Sequence, residues 1–561
     1  MRQISVLEHG IRNDGKACVS EALGALIASL PEDTELLFPA GTYYLSRPVP
    51  VIGKKNLTLR GEGAVLMTHF SPSDDPKHNN DGFWVQNCEN LCFRDFTATT
   101  DEPISCAGVV TAVDIRNRTY DVSIDPSFPV TGWEHFWGTD TCDDDGSPDY
   151  VIETYDRITR ETLTDETGAE RVKFTGVPYT VTGSQQIRVK APEHCDLSRL
   201  RIGHKVLYRY IIYGNTLFGF SGCRNVTLSH IEIERCASMG AVIQPRCENF
   251  TFEAFNIRSP KGSAALYAAN ADGIHIVGLS GKLVMKDCFF DGLGDDALNI
   301  HSQAGEIASV DREKGEIRCI YRDRQMREQP LSPLWADKGD TICVYEHDTF
   351  LKKGSFVVKR YENGIVAASS MEGTLAPGDI LANEAFFAAV HLDHCECRNT
   401  RARGFLLQSK NMLIENCRVY GTSLPGIIIS PDVRVWYEVG PSENVVIRDC
   451  VFEKCAFIPS GACLGAIVVK SCHDVGAEDY PAGVHKNIRM ERNTFRNIGA
   501  GGIYISATDG VKLYDNLFRN CEKAGEPKTP QIVLCNCAHT ETEYNCSDKA
   551  DTLTVQYKNT L

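Results

Sequence analysis

Three aspartates in two short segments have the residue type and spacing for acid–base chemistry. Asp272 lies in the segment NADGIHIVG, and the pair Asp295 and Asp296 lies in the segment DGLGDDALNIH. Asp272 and Asp295 are 23 residues apart. In a chain that completes one turn over about that distance, three carboxylates converge on one patch of the surface.

Such a cluster has the groups that glycoside hydrolysis needs. Ionised carboxylates repel one another, so the cluster retains at least one proton to unusually high pH. A carboxylic acid can then protonate the departing glycosidic oxygen while an ionised partner activates water. A separation of about 6.5 to 9.5 Å leaves room for that water and inverts the anomeric centre. The alternative is that these aspartates only cap turns or bind calcium.

The elements that position the aspartates repeat along the chain. Short alternating strands recur with small turns, and Cys395 and Cys417, like Asn493 and Asn516, lie about one repeat apart, at spacings of 22 and 23 residues. This period predicts an all-β, right-handed parallel β-helix, with the segment EALGALIASL as a helix that covers its first coil. One column of polar side chains is expected to point outward: Gln244, His301, Gln408, Ser430, Lys470 and Ser506.

The register of the aspartate coils contains one extra residue. Matching the apolar strand at Ile274 to the strand at Leu298 needs an offset of 24, one more than the spacing of Asp272 and Asp295. A β-bulge at Asp295 and Asp296 would supply that residue and turn both carboxylates to the same side.

Two stretches interrupt the repeat and contain alternating strands of their own. We predict that each is a small antiparallel β-barrel-like domain inserted into the helix wall. The expected organisation is an N-terminal cap and first coils at 1–104, an insertion at 105–209, aspartate-bearing coils at 210–301, a second insertion at 302–388, and C-terminal coils and tail at 389–561.

Composition and charge exclude several classes of partner. A formal net charge of −16 repels a phosphate backbone, so no nucleic-acid partner is expected. No apolar stretch reaches the roughly 18 residues that span a bilayer, so no membrane partner is expected. The chain opens with MRQISVLEHG and has 23 cysteines without a small-scaffold spacing. A reduced, cytoplasmic protein is expected, or a secreted or periplasmic one if a signal peptide has been removed.

The aspartate motifs carry a family resemblance. The N-x-D motif at Asp272 and the G-D-D motif at Asp295 and Asp296 resemble those of polygalacturonase-type β-helix glycosidases. With its two interruptions and the segment DVRVWYEVGPSENVVIRDCVF, the chain more closely resembles the blood-group-B-type α-1,3-galactosidases of glycoside hydrolase family 110. This resemblance implies an inverting, exo-acting enzyme that removes terminal α-1,3-linked galactose from oligosaccharides without a metal or cofactor. It also implies that Asp295 is the general acid and that Asp272 and Asp296 position and deprotonate water.

Other side chains are candidates for binding the sugar. An aromatic platform at Trp436 could stack on a galactose ring and Glu438 could bind its hydroxyls, or this loop could simply pack on the helix body. The histidines near the aspartates could hydrogen-bond the sugar or orient a carboxylate. The full set of substrate-binding candidates is His275, Asn299, His301, Trp436, Glu438, Gln244 and Gln408.

A zinc site in the segment VHLDHCECRN is not expected, although it is rich in histidine and cysteine. The four potential ligands lie on an alternating strand, so they do not share one face, whereas tetrahedral zinc needs four converging ligands. The cysteines in the repeat position are expected to act as small buried residues.

Two alternative functions remain open. Polygalacturonases follow G-D-D with a G-H-G loop and bind the uronate with an R-x-K motif. Here the segment NIHS follows, no R-x-K stands in the expected coil, and Lys470 is an isolated substitute. This departure favours a neutral galactoside over a uronide. The second alternative is a non-catalytic glycan-binding β-helix, which would not need three converging aspartates.

Overall fold

The computed structural model describes most of the chain. The described residues are 2–70, 82–130, 152–155 as backbone, 179–191, 197, 200–210, 213–323, 326–433, 436–457, 463–471, 480–522, 529–548 and 553–560. Within them the chain is a parallel β-helix whose wall is made of two long parallel sheets, with two antiparallel sheets inserted into it. No helix in these ranges is long and apolar enough to cross a membrane.

The larger parallel sheet wraps around the coil and has 21 strands in the described residues. Its strands are Arg2–Ser5, Asp14–Cys18, Thr34–Leu45, Lys55–Thr68, Glu89–Thr100, Arg224–Ile233, Cys247–Ile257, Leu279–Lys286, Phe289–Leu293, Phe387–Asp393, Glu396–Thr400, Lys410–Glu415, Arg418–Thr422, Glu443–Arg448, Val451–Cys455, His485–Glu491, Thr494–Ile498, Thr508–Tyr514, Leu517–Cys521, Ala538–Glu543 and Cys546–Ser547.

The second parallel sheet positions the aspartates. Its strands are Val49–Ile52, Phe83–Gln86, Phe218–Ser221, Ala241–Ile243, Ile274–Val277, Leu298–Gln303, Phe405–Leu407, Ile427–Ile429, Gly465–Val469, Gly501–Ser506, Ile532–Cys535 and Val555–Lys558, with the short strand Glu438–Val439 paired at the side. Ile427, Ile467 and Ile503 are in register and fully buried. Alternation therefore places one side-chain column of each strand in the helix core.

The coil turns are held by buried polar and thiol groups that stack from coil to coil. The backbone N–H of Cys450 donates to Asn493 Oδ1 at 3.0 Å, and the N–H of Asn493 donates to Asn516 Oδ1 at 3.1 Å. Cys395 and Cys417 occupy this position in earlier coils and are buried free thiols. The expectation of small buried cysteines is confirmed.

The N-terminal end is covered as expected. The α-helix Ser20–Ser29 buries Leu23 and Ile27 in the core of the coil and packs on the strand Val49–Ile52. Two short 3-10 helices, Val6–His9 and Glu384–Phe386, also lie in the described residues. The helix thus removes an apolar end from water.

The first insertion is a six-stranded antiparallel sheet in the described residues. Its strand order is Ile152–Tyr155, Lys205–Arg209, Ser105–Asp114, Thr119–Ile124, Gln186–Lys190 and Tyr179–Gly183. Tyr120, Val122 and Val206 are buried in its own apolar core.

The second insertion closes into a barrel. The ring runs through Gly305–Asp311, Ile380–Asn383, Thr341–Tyr345, Lys352–Glu362, Ile365–Gly373 and Glu316–Arg322, and the last strand pairs with the first; Glu328–Pro330 adds to its edge. Trp335, Ile342 and Val366 fill the interior. Closure satisfies the backbone groups that a free sheet edge leaves unpaired.

Candidate active site

The three aspartates lie in turns that precede two neighbouring strands. Asp272 and Asp296 each stand two residues before a strand, and those strands pair with Ile274 opposite Leu298. The predicted offset of 24 residues is confirmed. The predicted β-bulge is wrong: Asp295 and Asp296 lie in a turn outside any strand, where side chains need not alternate between two faces.

The carboxylates form one compact cluster. One oxygen of each of Asp272, Asp295 and Asp296 lies within 4.8 Å of one oxygen of each of the others. The backbone N–H of Asp296 donates to Asp272 Oδ1 at 2.9 Å, which fixes the two turns relative to each other. Asp272 and Asp296 are buried, whereas the Asp295 side chain is 21% exposed. Asp295 is therefore the member that solvent and ligands reach most easily.

Two arginines that the sequence analysis missed are paired with this cluster. Arg403 donates from Nε and from its backbone N–H to Asp296 Oδ1, at 2.8 and 2.9 Å. Arg401 Nη2 lies 3.2 Å from Asp295 Oδ2. In the coil, Phe405 pairs with Leu298, so the segment RARG stacks directly on the aspartate turn.

The second insertion conceals this stacking in the sequence, because it separates the two coils by more than eighty residues. The sequence nevertheless contains one indication of this stacking. When the insertion is removed, the segment GFLL, which begins at Gly404, aligns with the segment ALNI, which begins at Ala297. That alignment places Arg403 opposite Asp296.

Burial dominates the electrostatics of the cluster. It raises the pKa of Asp296 to about 7, with the charges of Asp295 and Asp272 adding to the rise and Arg403 opposing it. Burial also raises the pKa of Asp272, against a hydrogen bond from His275. The cluster thus has the property expected of it, since a buried carboxyl group holds its proton near neutral pH.

A chain of polar contacts leads from Asp272 to a loop of the later coils. His275 Nδ1 lies 2.7 Å from Asp272 Oδ2, and the Nε2 atoms of His275 and His301 are 3.2 Å apart. His301 Nε2 lies 3.6 Å from Glu438 Oε1, and Gln408 Nε2 donates to Glu438 Oε2 at 3.0 Å. Four of the predicted substrate-binding residues therefore form one network behind Asp272.

The remaining candidates lie around this network. Asn299 is buried beside His275 on the neighbouring strand. Gln244 stands on the same outward column but is exposed, and Trp436, two residues before Glu438, is 55% exposed.

The outward polar column differs from expectation towards its C-terminal end. Ser430, Lys470 and Ser506 point away from the helix core, as predicted, but they are buried. An apolar cluster that includes Tyr345, Tyr437 and Ala507 is buried near this end of the column, since Ala507 follows Ser506 in the chain. Lys470 is consequently not a free surface cation that could replace an R-x-K motif.

The donor set suits acid–base chemistry better than metal binding. Among the described residues, Asp272, Asp295 and Asp296 are close enough to share a cation. Guanidinium groups already balance two of the three carboxylates, and a hard divalent cation needs about six oxygen ligands.

The side chains of the histidine- and cysteine-rich segment at 390–399 do not converge on one point. Cys395 and Cys397 point into the core, while His391 and His394 are on the outside and pair with Glu415 and Asp393.

Comparisons with known proteins agree with this architecture. A family model described as a right handed beta helix region matches residues 337–518, which confirms the predicted fold class. Alpha-1,3-galactosidase A of Bacteroides fragilis is 25% identical over 530 residues, covering 89% of this chain and 81% of that protein. Alpha-1,3-galactosidase A of Shewanella woodyi is 22% identical over 551 residues, covering 92% and 85%.

Among solved structures, a family 28 exopolygalacturonase of Yersinia enterocolitica is similar, with a TM-score of 0.47 and 13% identity, covering 100% of this chain and 78% of that chain. The two galactosidases confirm the family resemblance that the aspartate motifs indicated.

Proposed function

We propose that this chain is an inverting, exo-acting glycoside hydrolase that removes terminal α-1,3-linked galactose from oligosaccharides. Its similarity to the two galactosidases over about nine-tenths of its length supports the class of glycoside hydrolase. The names of those relatives support the sugar and the linkage. The observation that carries the proposal is the compact cluster of Asp272, Asp295 and Asp296, with one member exposed and two buried.

The exposure of the aspartates suggests their roles. Asp295 is accessible, so it donates its proton to the departing glycosidic oxygen as that C–O bond breaks. Water attacks the anomeric carbon from the opposite face, and its proton passes to the buried pair Asp272 and Asp296. After turnover the cluster has given one proton and gained one, so a proton transfer among its members restores the starting state.

The spacing of the carboxylates bears on the stereochemistry. The oxygen–oxygen approach within 4.8 Å is shorter than the separation of about 6.5 to 9.5 Å that is usual for inverting enzymes. One water that donates to two carboxylates, at about 2.8 Å to each, spans a gap of this size. We assign that water to Asp272 and Asp296. Retaining enzymes have carboxyl groups about 5 to 5.5 Å apart, so the anomeric form of the first product is decisive.

Hydrolysis of a uronide is the second candidate. Arg401 and Arg403 beside the cluster are the observation that favours it, because guanidinium groups bind carboxylates well. Both arginines are, however, already paired with Asp295 and Asp296, which leaves less positive charge for a substrate carboxylate. We therefore rank the neutral galactoside first.

The Asp295→Asn variant tests the proposal. Wild-type protein is expected to release galactose from galactose-α-1,3-galactose, and Asp295→Asn to lose at least about a hundredfold in kcat, because the general acid is removed. Asp287→Asn is the matched control. Asp287 is exposed and has a φ of 53°, a conformation that asparagine also accepts. Its rate should equal that of wild type.

Other outcomes would replace the proposal. Cleavage of oligogalacturonides without galactose release would assign the uronide activity. Binding of glycans without hydrolysis of either substrate would favour the non-catalytic β-helix.

A further inference from the structure

The tautomer of His301 is set by a backbone carbonyl. Its Nδ1 lies 3.2 Å from the carbonyl oxygen of Ser302, and a carbonyl can only accept a hydrogen bond. Nδ1 of His301 therefore carries a hydrogen. Burial lowers the pKa of His301, which favours the neutral ring. In a neutral ring with hydrogen on Nδ1, Nε2 is an acceptor.

This tautomer determines the hydrogens of His275. The Nε2 atoms of the two rings are 3.2 Å apart, and since His301 accepts there, His275 must donate. The other ring nitrogen of His275 lies 2.7 Å from Asp272 Oδ2. When Asp272 is ionised, it accepts that second hydrogen bond as well. His275 then has a hydrogen on both nitrogens and is an imidazolium.

The charges that face His275 agree with this state. Asp272 and Asp296 lie on the aspartate side, Glu438 faces it from the later loop, and neutral His301 is beside it. Although burial alone would lower the pKa of His275, the hydrogen bond and charge of Asp272, with Glu438 and Asp296, raise it. The charge of Arg403 also acts on Glu438 and lowers its pKa.

We propose that His275 is a positioning residue whose imidazolium form keeps Asp272 ionised and so makes Asp272 the base that deprotonates water. The reaction in this statement rests on the proposed function, whereas the protonation state of His275 does not. In the hydrolytic step the water O–H bond breaks, its proton goes to Asp272, and its oxygen bonds to the anomeric carbon. The bond to the leaving oxygen breaks as Asp295 protonates it.

The protonation state can be measured without substrate. In the full-length protein labelled with ¹⁵N-histidine, ring-nitrogen NMR at pH 7 should show both nitrogens of His275 protonated and only Nδ1 of His301 protonated. Spectra of His275→Gln and His301→Gln assign the signals. In Asp272→Asn the imidazolium signature of His275 should disappear at pH 7, because its main anionic partner is gone. A neutral His275 in wild type would overturn the inference, whatever the substrate.

The pH–rate profile tests the role in the reaction. Removing the positive charge in His275→Gln raises the pKa of Asp272, so the acid limb of kcat/KM should move to higher pH. The kcat should fall about tenfold or more while KM changes little, since no substrate contact is removed. His391→Gln, which changes a half-buried histidine paired with Glu415, is the control. An unmoved acid limb with unchanged kcat in His275→Gln would refute the positioning role.

Discussion

At the scale of single residues, the buried carboxyl group of Asp296 is paired with Arg403, and that of Asp272 is in contact with His275. Burial raises the pKa of Asp296 to about 7 even though Arg403 Nε lies 2.8 Å from its Oδ1. Asp295 is partly exposed and near both Arg401 and Arg403. The three carboxyl groups thus differ in burial and in neighbouring charge, although their side chains are identical.

Replacing Arg403 should change the pH dependence in a defined direction. Arg403 lowers the pKa of Asp296, so Arg403→Gln raises that pKa further above neutrality. Because the proposed water-binding pair must be ionised, the acid limb of kcat/KM should shift to higher pH and activity at pH 6 should fall most. Arg418→Gln, an arginine exposed on the outside of the coil, should leave the profile unchanged. A shift to lower pH in Arg403→Gln would contradict the assignment.

The sequence predicted the acidic half of the site but not the basic half. Asp272, Asp295 and Asp296 could be grouped because their spacing equals one coil and no insertion separates them. Arg401 and Arg403 are equally close in space, but a folded barrel stands between them and the aspartates in the chain. Coil spacing predicts which residues are neighbours only where no insertion interrupts the coil.

At the scale of elements, the turn before the strand Leu298–Gln303 determines where Asp295 points. Gly294 begins this turn, and a Cβ atom there would lie 2.2 Å from the carbonyl oxygen of Asn270 and 2.8 Å from Arg209 Nη1. Only a glycine lets the two coil turns approach so closely. The turn that carries the proposed acid is therefore fixed by backbone packing.

Gly294→Ala should accordingly damage activity more than folding. Relief of the clash would displace Asp295, and a shift of about 1 Å in a catalytic group can cost about a hundredfold in rate. The free energy of unfolding should fall by about 1 to 3 kcal/mol, as for other overpacked sites. Gly183→Ala is the control, because a Cβ there meets its nearest atom at 3.5 Å. Full activity in Gly294→Ala, measured with denaturant unfolding in parallel, would show that the turn tolerates the displacement.

The register of the coils was predictable because apolar residues recur with a fixed step. Ile274 and Ile276 pair with Leu298 and Ile300 as the periodicity requires. The bulge at Asp295 was not a correct inference, because periodicity does not show where a strand ends and a turn begins. Burial of Lys470 was also unpredictable, since periodicity does not show which parts of the chain cover the outward face of a coil.

At the scale of the whole molecule, the second insertion contacts the loop that carries Glu438. Glu438–Val439 pairs with Ser302 and Gln303, so the loop that carries Glu438 is anchored to the end of the aspartate sheet. Tyr437 in the same loop packs on Tyr321 of the barrel, with ring centres 5.9 Å apart. The barrel thus supports the far end of the histidine network.

The molecule's stability should not depend on disulfides. The structure describes twenty cysteines, all of them thiols outside any disulfide and most of them buried. Thiol titration in denaturant should count at least these twenty, and far fewer should react in the native protein. A reducing agent should leave Tm unchanged. A marked fall of Tm on reduction would mean that structural disulfides form in the protein.

The central claim is that the aspartate cluster activates water for inverting hydrolysis of a terminal α-1,3-galactoside. A proton NMR time course of wild-type protein with galactose-α-1,3-galactose tests it most directly, because the anomeric proton of the first galactose released reports the stereochemistry before mutarotation. The account predicts β-galactose first, with α-galactose appearing later. Early α-galactose would mean retention with an aspartate as nucleophile, and no release of galactose would contradict the proposed substrate.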